Sequence, residues 1–179
     1  SGWAGHHGAG VMAAGMNTAD PRAILRELET RARKRFGQHF LARRDVVDRM
    51  VRMAGVRPGD RVVEVGPGLG ILTEALVAAV AGVKAVEVDG ELIEHLRGLV
   101  PGAEIVHADA TRLAWGEVCP GSGWKLIANL PYNVGTGIVM DIARLPATFT
   151  SITVMLQAEV VARMVAAPGT EAYGALSAE

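Results

Sequence analysis

The chain has 179 residues, 50% of them hydrophobic and 21% charged, which predicts one packed domain and excludes a disordered chain. Its single cysteine, Cys119, excludes an internal disulfide framework and a cysteine-cluster zinc site. The longest apolar runs, residues 8–16 and 75–83, are shorter than the ~20 residues of a membrane helix, and no export signal is visible. We therefore expect a cytoplasmic protein without a membrane partner.

The charge is unevenly distributed along the chain. Residues 1–61 contain 12 Lys and Arg against 6 Asp and Glu, whereas residues 62–179 contain 6 against 13. This segregation indicates a basic face for an anionic partner, most often a nucleic acid. The alternative is a solvated amphipathic helix with ordinary surface arginines.

The first 60 residues predict two helices and no strand. Residues 1–19 are rich in Gly and Ala without a period, so we interpret them as a flexible N-terminal extension or a cloning remnant, and residues 20–179 as the folded domain. Asp20 and Pro21 are typical of a helix start, and a second helical pattern runs from Val46 to Ala54.

From Arg61 onward, short β-branched runs alternate with helical patterns. Such alternation implies parallel strands joined by right-handed crossovers, and hence a doubly wound, mostly parallel α/β sheet. The predicted strands are 61–65, 84–88, 104–107, 125–128 and 152–156, and the helices between and after them are 72–80, 92–99, 138–143 and 159–165.

The first strand leads into a glycine-rich turn, Gly66-Pro67-Gly68-Leu69-Gly70, before a helix. Glycines at this point allow a ligand to approach the backbone, and the helix N-terminus offers free N–H groups. Ile71 occupies the position of the last glycine in the dinucleotide fingerprint, and no P-loop lysine follows, which disfavours NAD and nucleoside triphosphates.

Acidic residues follow the next two predicted strands. Glu87 is placed to accept both ribose hydroxyls of an adenosine, and Asp109 could accept from an adenine amino group. Each carboxylate taken alone could equally be a solvated loop residue. Together with Gly66 and Gly68, at three successive strand ends, they indicate an S-adenosylmethionine site.

The fourth strand leads into Asn129-Leu130-Pro131-Tyr132. The Asn129 amide oxygen and the Leu130 carbonyl can accept from an exocyclic amino group, Pro131 fixes φ, and Tyr132 can stack on a base. We therefore predict a planar amine as the methyl acceptor.

In these residues the chain resembles the ribosomal RNA adenine dimethyltransferases, specifically their small-subunit branch. The resemblance covers about residues 32–177 and depends on six blocks that occur in order. They are Arg35 to Leu41, Glu64 to Gly70, Glu87 to Asp89, Asp109-Ala110, Asn129 to Asn133, and Met155 to Ser177.

The resemblance implies a Rossmann-like methyltransferase fold, S-adenosyl-L-methionine as cofactor, no metal, and dimethylation of adenosines in 16S RNA of the immature small ribosomal subunit. It implies a catalytic tetrapeptide at 129–132, a monomer, and phosphate contacts from basic residues near the site entrance. The cofactor residues are Gln38, His39, Leu41, Gly66, Gly68, Glu87, Val88, Asp109, Ala110 and Asn129, and the RNA-binding residues are Arg31, Arg33, Lys34, Arg35, Arg43 and Arg44.

Several alternatives stay open at this point. They are a methyltransferase for small molecules or proteins, a noncatalytic RNA-binding assembly factor, an NAD oxidoreductase, and a large-subunit methylase of the macrolide-resistance type. Related enzymes continue beyond the position of Glu179. We therefore expect a catalytic domain that lacks the C-terminal helical domain, and cofactor binding more readily than turnover.

Overall fold

The chain folds around a sheet of five parallel strands. The structure is a computed structural model that describes residues 26–27, 44–80, 82–130 and 132–155. The strands are β1 (Arg61–Val65), β2 (Gly82–Glu87), β3 (Ala103–His107), β4 (Trp124–Asn129) and β5 (Phe149–Met155). The helices are α1 (Arg44–Met53), α2 (Ile71–Ala79), α3 (Gly90–Leu99), α4 (Trp115–Val118) and α5 (Tyr132–Ala143), and Ala110–Arg112 form one 3₁₀ turn.

The strand order is β3-β2-β1-β4-β5, and every neighbouring pair is parallel. The chain therefore winds outward from β1 to β3, then returns to the other side of β1 and winds outward again. This order confirms the predicted doubly wound α/β sheet. It also places the point where the winding reverses between β1 and β4, which is where open sheets of this kind bind ligands.

Side chains from alternate positions of the central strands cover the two faces of the sheet, as the two-residue period of a strand requires. On one face, Val62 and Ile127 pack against α1 and α2 through residues such as Val47 and Leu72. On the other face, the buried set comprises Val63, Val65, Val86, Leu126 and Ala128 with Trp115, Ile138, Ile142 and Phe149. Because both faces are covered, the strands are apolar almost throughout.

The predicted strands and the helices between them agree with the structure within a few residues, except at α5. That helix begins at Tyr132 rather than near residue 138, because Gly135 and Gly137 are weak helix formers that conceal its first turns in the sequence. The 3₁₀ turn and α4 were not predicted, since one turn is too short to show a period. The proposed extension 1–19 and helix 159–165 lie outside the described residues, as does the predicted helix start at Asp20.

Within the part of the chain that the structure describes, none of the helices is both long and apolar enough to cross a bilayer.

Gly70, which directly precedes α2, packs tightly against α3, and a substitution tests this contact. Its φ is +83°, and a Cβ there would lie 2.9 Å from Leu99 Cδ2 and 3.0 Å from Leu96 Cδ2. Gly70→Ala should therefore lower the free energy of unfolding by about 2 kcal/mol, through backbone strain and overpacking.

Gly98→Ala is the matched control, because nothing lies within 4 Å of a Cβ on this helical glycine. It should stabilise the protein by about 0.5–1 kcal/mol. Urea unfolding measures both, and an unchanged midpoint for Gly70→Ala would contradict the packing.

Candidate functional site

The carboxyl ends of β1, β2, β3 and β4 meet at one edge of the sheet, because all four strands are parallel. Each of these ends carries residues that the sequence predicts to be functional. The structure thus brings together the glycine-rich turn after β1, Glu87 at the end of β2, Asp109 after β3 and Asn129 at the end of β4. This juxtaposition is the candidate site.

The glycine-rich turn passes close to the turn after β4. Gly66 has φ +72°, and a Cβ built on it would lie 3.0 Å from Leu130 Cδ2 and 3.6 Å from the Asn129 carbonyl oxygen. The Gly66 N–H donates to the Val86 carbonyl at 3.0 Å, which fixes the start of the turn against β2. A larger residue at position 66 would therefore press against the Leu130 side chain, at the point where the winding reverses.

Glu87 joins the glycine-rich turn to the end of β2. Its side chain is 2% exposed; Oε1 accepts from the Asp89 N–H at 2.8 Å and Oε2 accepts from the Gly68 N–H at 3.3 Å. Burial raises the pKa of Glu87, and the backbone N–H donors partly counteract that rise. The carboxylate is thus held in one orientation by two backbone donors, with further lone pairs available to accept hydroxyl donors.

Val88 and the segment after β3 form the next part of this edge. Val88 is 48% exposed and offers an apolar surface beside Glu87. Asp109 Oδ1 accepts from the N–H and the hydroxyl of Thr111, at 2.9 Å and 2.6 Å, and these hydrogen bonds lower the pKa of Asp109. Ala110 is buried beneath that turn. Asp109 is therefore ionised and exposed, and Oδ2 accepts neither of these two bonds.

Asn129 and Leu130 form the end of β4 and the start of the following turn. Both are half-buried, and Leu130 packs against the core of its face of the sheet. Pro131 and the side chain of Tyr132 lie outside the described residues.

The basic N-terminal candidates are represented in the structure by one residue. Arg44 is exposed at the first position of α1. Two groups of candidates lie outside the described residues. They are the other RNA-binding candidates, Arg31, Arg33, Lys34, Arg35 and Arg43, and the cofactor candidates Gln38, His39 and Leu41.

Glu64, two residues before the glycine-rich turn, is a buried acid of the same region. It is 1% exposed and lies between Ala85 and Ile127 of the neighbouring strands, and neither of its oxygens is hydrogen-bonded by the described residues. Burial raises the pKa of Glu64 to about 8, the neighbouring Thr73 hydroxyl partly opposes the rise, and the charge of Glu87 adds to it. Glu64 is consequently protonated at neutral pH.

Solved structures define the class to which this fold belongs. The crystal structure of a dimethyladenosine transferase from Plasmodium falciparum superposes with a TM-score of 0.65 and 22% identity, covering 75% of this chain and 49% of that one. The 23S rRNA methyltransferase ErmE superposes with a TM-score of 0.61 and 28% identity, covering 70% of this chain and 50% of that one. The fold is therefore the Rossmann-like methyltransferase fold, as expected from the sequence.

The sequence comparisons identify the family within this class. A profile described as ribosomal RNA adenine dimethylase matches residues 29–179, and the chain belongs to that family. The Ribosomal RNA small subunit methyltransferase A of Nitrosomonas europaea is 40% identical over 146 residues, which are 81% of this chain and 56% of that protein. The chain thus spans a little over half the length of such relatives, and it shares the fold and family of enzymes that use S-adenosylmethionine.

The buried acid Glu64 predicts a particular dependence of stability on pH. Its pKa of about 8 in the folded protein exceeds the ordinary value of 4.5, so the folded state retains a proton that the unfolded state loses between these two pH values. The stability that Glu64 contributes through this proton is fully present below about pH 4.5. Above that pH, the free energy of unfolding falls by up to about 1.4 kcal/mol per pH unit.

Glu64→Gln should therefore flatten the decline in unfolding free energy between pH 5 and pH 8, measured by urea unfolding. Glu87, whose pKa is also raised, keeps part of the slope in this variant. Glu74→Gln, an exposed carboxylate on α2, is the control and should follow the wild type. Parallel pH profiles for Glu64→Gln and the wild type would show that Glu64 is not protonated in the folded protein.

Proposed function

We propose that this chain is the catalytic domain of an S-adenosylmethionine-dependent enzyme that dimethylates the exocyclic amine of adenosines in small-subunit (16S) ribosomal RNA during ribosome assembly. One observation carries the proposal: the glycine-rich turn, the buried Glu87 carboxylate and the Asn129 turn meet where the winding of the sheet reverses. The family membership supports the same reaction.

The cofactor fits the residues at this edge. Glycine at position 66 allows its turn to pass close to the Asn129 turn, and Glu87 has lone pairs left over to accept ribose hydroxyls. The exposed apolar surface of Val88 suits the adenine ring, and Asp109 Oδ2 with the backbone of Ala110 suits its polar edge. Gln38, His39 and Leu41 complete the proposed set around the methionine part, on the strength of the sequence blocks.

The chemistry requires alignment more than a strong base. When bound, S-adenosylmethionine supplies a methyl group on a positively charged sulfur and leaves as a neutral thioether. Asn129 and the Leu130 carbonyl accept hydrogen bonds from the target amine and direct its lone pair along the line of attack. Held in this way, the amine would be placed to accept the methyl group that the cofactor gives up with its C–S bond, and the proton released from the amine would pass to solvent. A second round gives the dimethylated base.

The RNA partner is proposed from charge and from the relatives. Arg44 is exposed on α1, and the other basic candidates, Arg31, Arg33, Lys34, Arg35 and Arg43, precede it closely in the chain. They are suited to phosphate contacts, while Tyr132 would stack on the unstacked base. The relative from Nitrosomonas europaea is named for the small subunit, which favours that RNA over the large-subunit alternative.

Binding of the cofactor tests the role of Glu87. Glu87→Gln keeps the side-chain volume but replaces one acceptor oxygen by an amide donor, so S-adenosylmethionine affinity in calorimetric titration should fall by about tenfold to a hundredfold. Glu117→Gln, an exposed carboxylate on α4, is the control and should leave affinity unchanged. NAD should not bind either protein. Equal affinity in Glu87→Gln, or tight NAD binding, would contradict the cofactor assignment.

Methyl transfer tests the role of Asn129. We expect low but measurable incorporation of tritiated methyl groups into immature small subunits by the wild-type chain, mapped to adenosines. Asn129→Ala should reduce incorporation about a hundredfold while cofactor still binds, because the target amine loses its alignment. Ser122→Ala, in the exposed loop before β4, is the control and should act as wild type. Incorporation only into large-subunit RNA would favour the macrolide-resistance type of enzyme, and none at all from the cofactor-bound wild type would contradict the proposed reaction.

A further inference from the structure

His95, on α3, connects that helix to the glycine-rich turn. Its Nε2 lies 3.2 Å from the carbonyl oxygen of Leu69, 26 residues earlier in the chain. A carbonyl oxygen can only accept, so Nε2 carries the hydrogen and His95 is the donor. The side chain is half-buried, which protects the bond from competition by water.

The same helix is fixed at its start to the other side of the site. The Asp89 N–H donates to Glu87 Oε1, and the Asp89 side chain caps α3 by accepting from the Glu91 N–H at 3.1 Å. Glu87 Oε2 in turn accepts from the Gly68 N–H. The glycine-rich turn, Glu87 and α3 therefore form a closed ring of contacts, with His95 completing it through Leu69.

Packing supports this connection. Gly70 approaches α3 so closely that a Cβ on it would contact the ends of Leu96 and Leu99. Leu96 is fully buried and directly follows His95, so the hydrogen bond and the apolar contact act on adjacent residues of the turn, Leu69 and Gly70. Both contacts restrict the position of the turn relative to α3.

We propose that His95 is a positioning residue for the cofactor site, holding the glycine-rich turn in its binding conformation without touching the cofactor. The inference builds on the proposed function. The Gly68–Glu87 bond is long, at 3.3 Å, and it shares its acceptor, Oε2, with any ribose hydroxyl that binds there. His95 provides a restraint on the turn that does not use this acceptor.

Three substitutions separate this role from simple stabilisation. His95→Ala removes the donor, and S-adenosylhomocysteine affinity should fall by about threefold to tenfold, the range for one hydrogen bond. In His95→Gln, the side-chain amide nitrogen lies the same number of bonds from Cα as Nε2 of His95. This variant should therefore restore affinity to within about twofold of the wild type. His95→Asn carries the same amide one bond shorter and should bind as weakly as His95→Ala. Thermal unfolding of all four proteins shows how much stability each change costs.

Amide hydrogen exchange without cofactor supplies a second measurement. His95→Ala should accelerate exchange at Gly68 and Gly70, whose N–H groups donate to Glu87 and to the Pro67 carbonyl, and His95→Gln should return both rates to wild type. Exchange at Val63, in the middle of β1, should stay unchanged in every variant.

Three results would overturn the role of His95. The first is that His95→Ala keeps wild-type affinity and exchange rates. The others are that His95→Asn restores the affinity, or that a folded His95→Gln does not restore it. If the wild type itself binds no S-adenosylhomocysteine, the proposed function fails. The exchange rates then still decide whether His95 holds the turn.

Discussion

The buried carboxylate of Glu87 is the interaction on which this edge of the sheet depends. It accepts from Gly68 after β1 and from Asp89 before α3, so one side chain fixes the first turn of the ligand site and the start of the next helix. Burial opposes its ionisation, and the backbone donors offset part of that cost. Without these donors, the glycine-rich turn would be held only by the Gly66–Val86 hydrogen bond to β2 and by the contacts with α3.

The fold could be predicted from the sequence because its signals are local. Each central strand is a short β-branched run, and helical patterns follow β1, β2 and β4 in the chain. Alternation of the two element types then leaves a parallel sheet as the consistent topology. The start of α5 could not be predicted, since its position is set by packing of Ile138 and Ile142 rather than by the glycine-containing first turns.

The candidate site was predictable only in part. Glycines and acids at strand ends can be recognised in the sequence because parallel strands bring their carboxyl ends together, and Glu87 and Asn129 were predicted in this way. The role of His95 was not visible, because its contact with Leu69 spans 26 residues and depends on how α3 packs over the turn. The raised pKa of Glu64 was also hidden, since it results from burial in a strand that lies between two others.

We propose that S-adenosylmethionine binds across the carboxyl edge of the sheet, at the reversal between β1 and β4. Titration of the isotope-labelled chain with S-adenosylmethionine, followed by amide NMR, tests it most directly. We expect saturable shifts at Gly66, Gly68, Val88 and Ala110. None is expected at Arg61 or Gly82, which pair with each other at the start of β1 and β2, at the opposite edge. Shifts confined to that opposite edge, or the absence of any saturable shift, would contradict it.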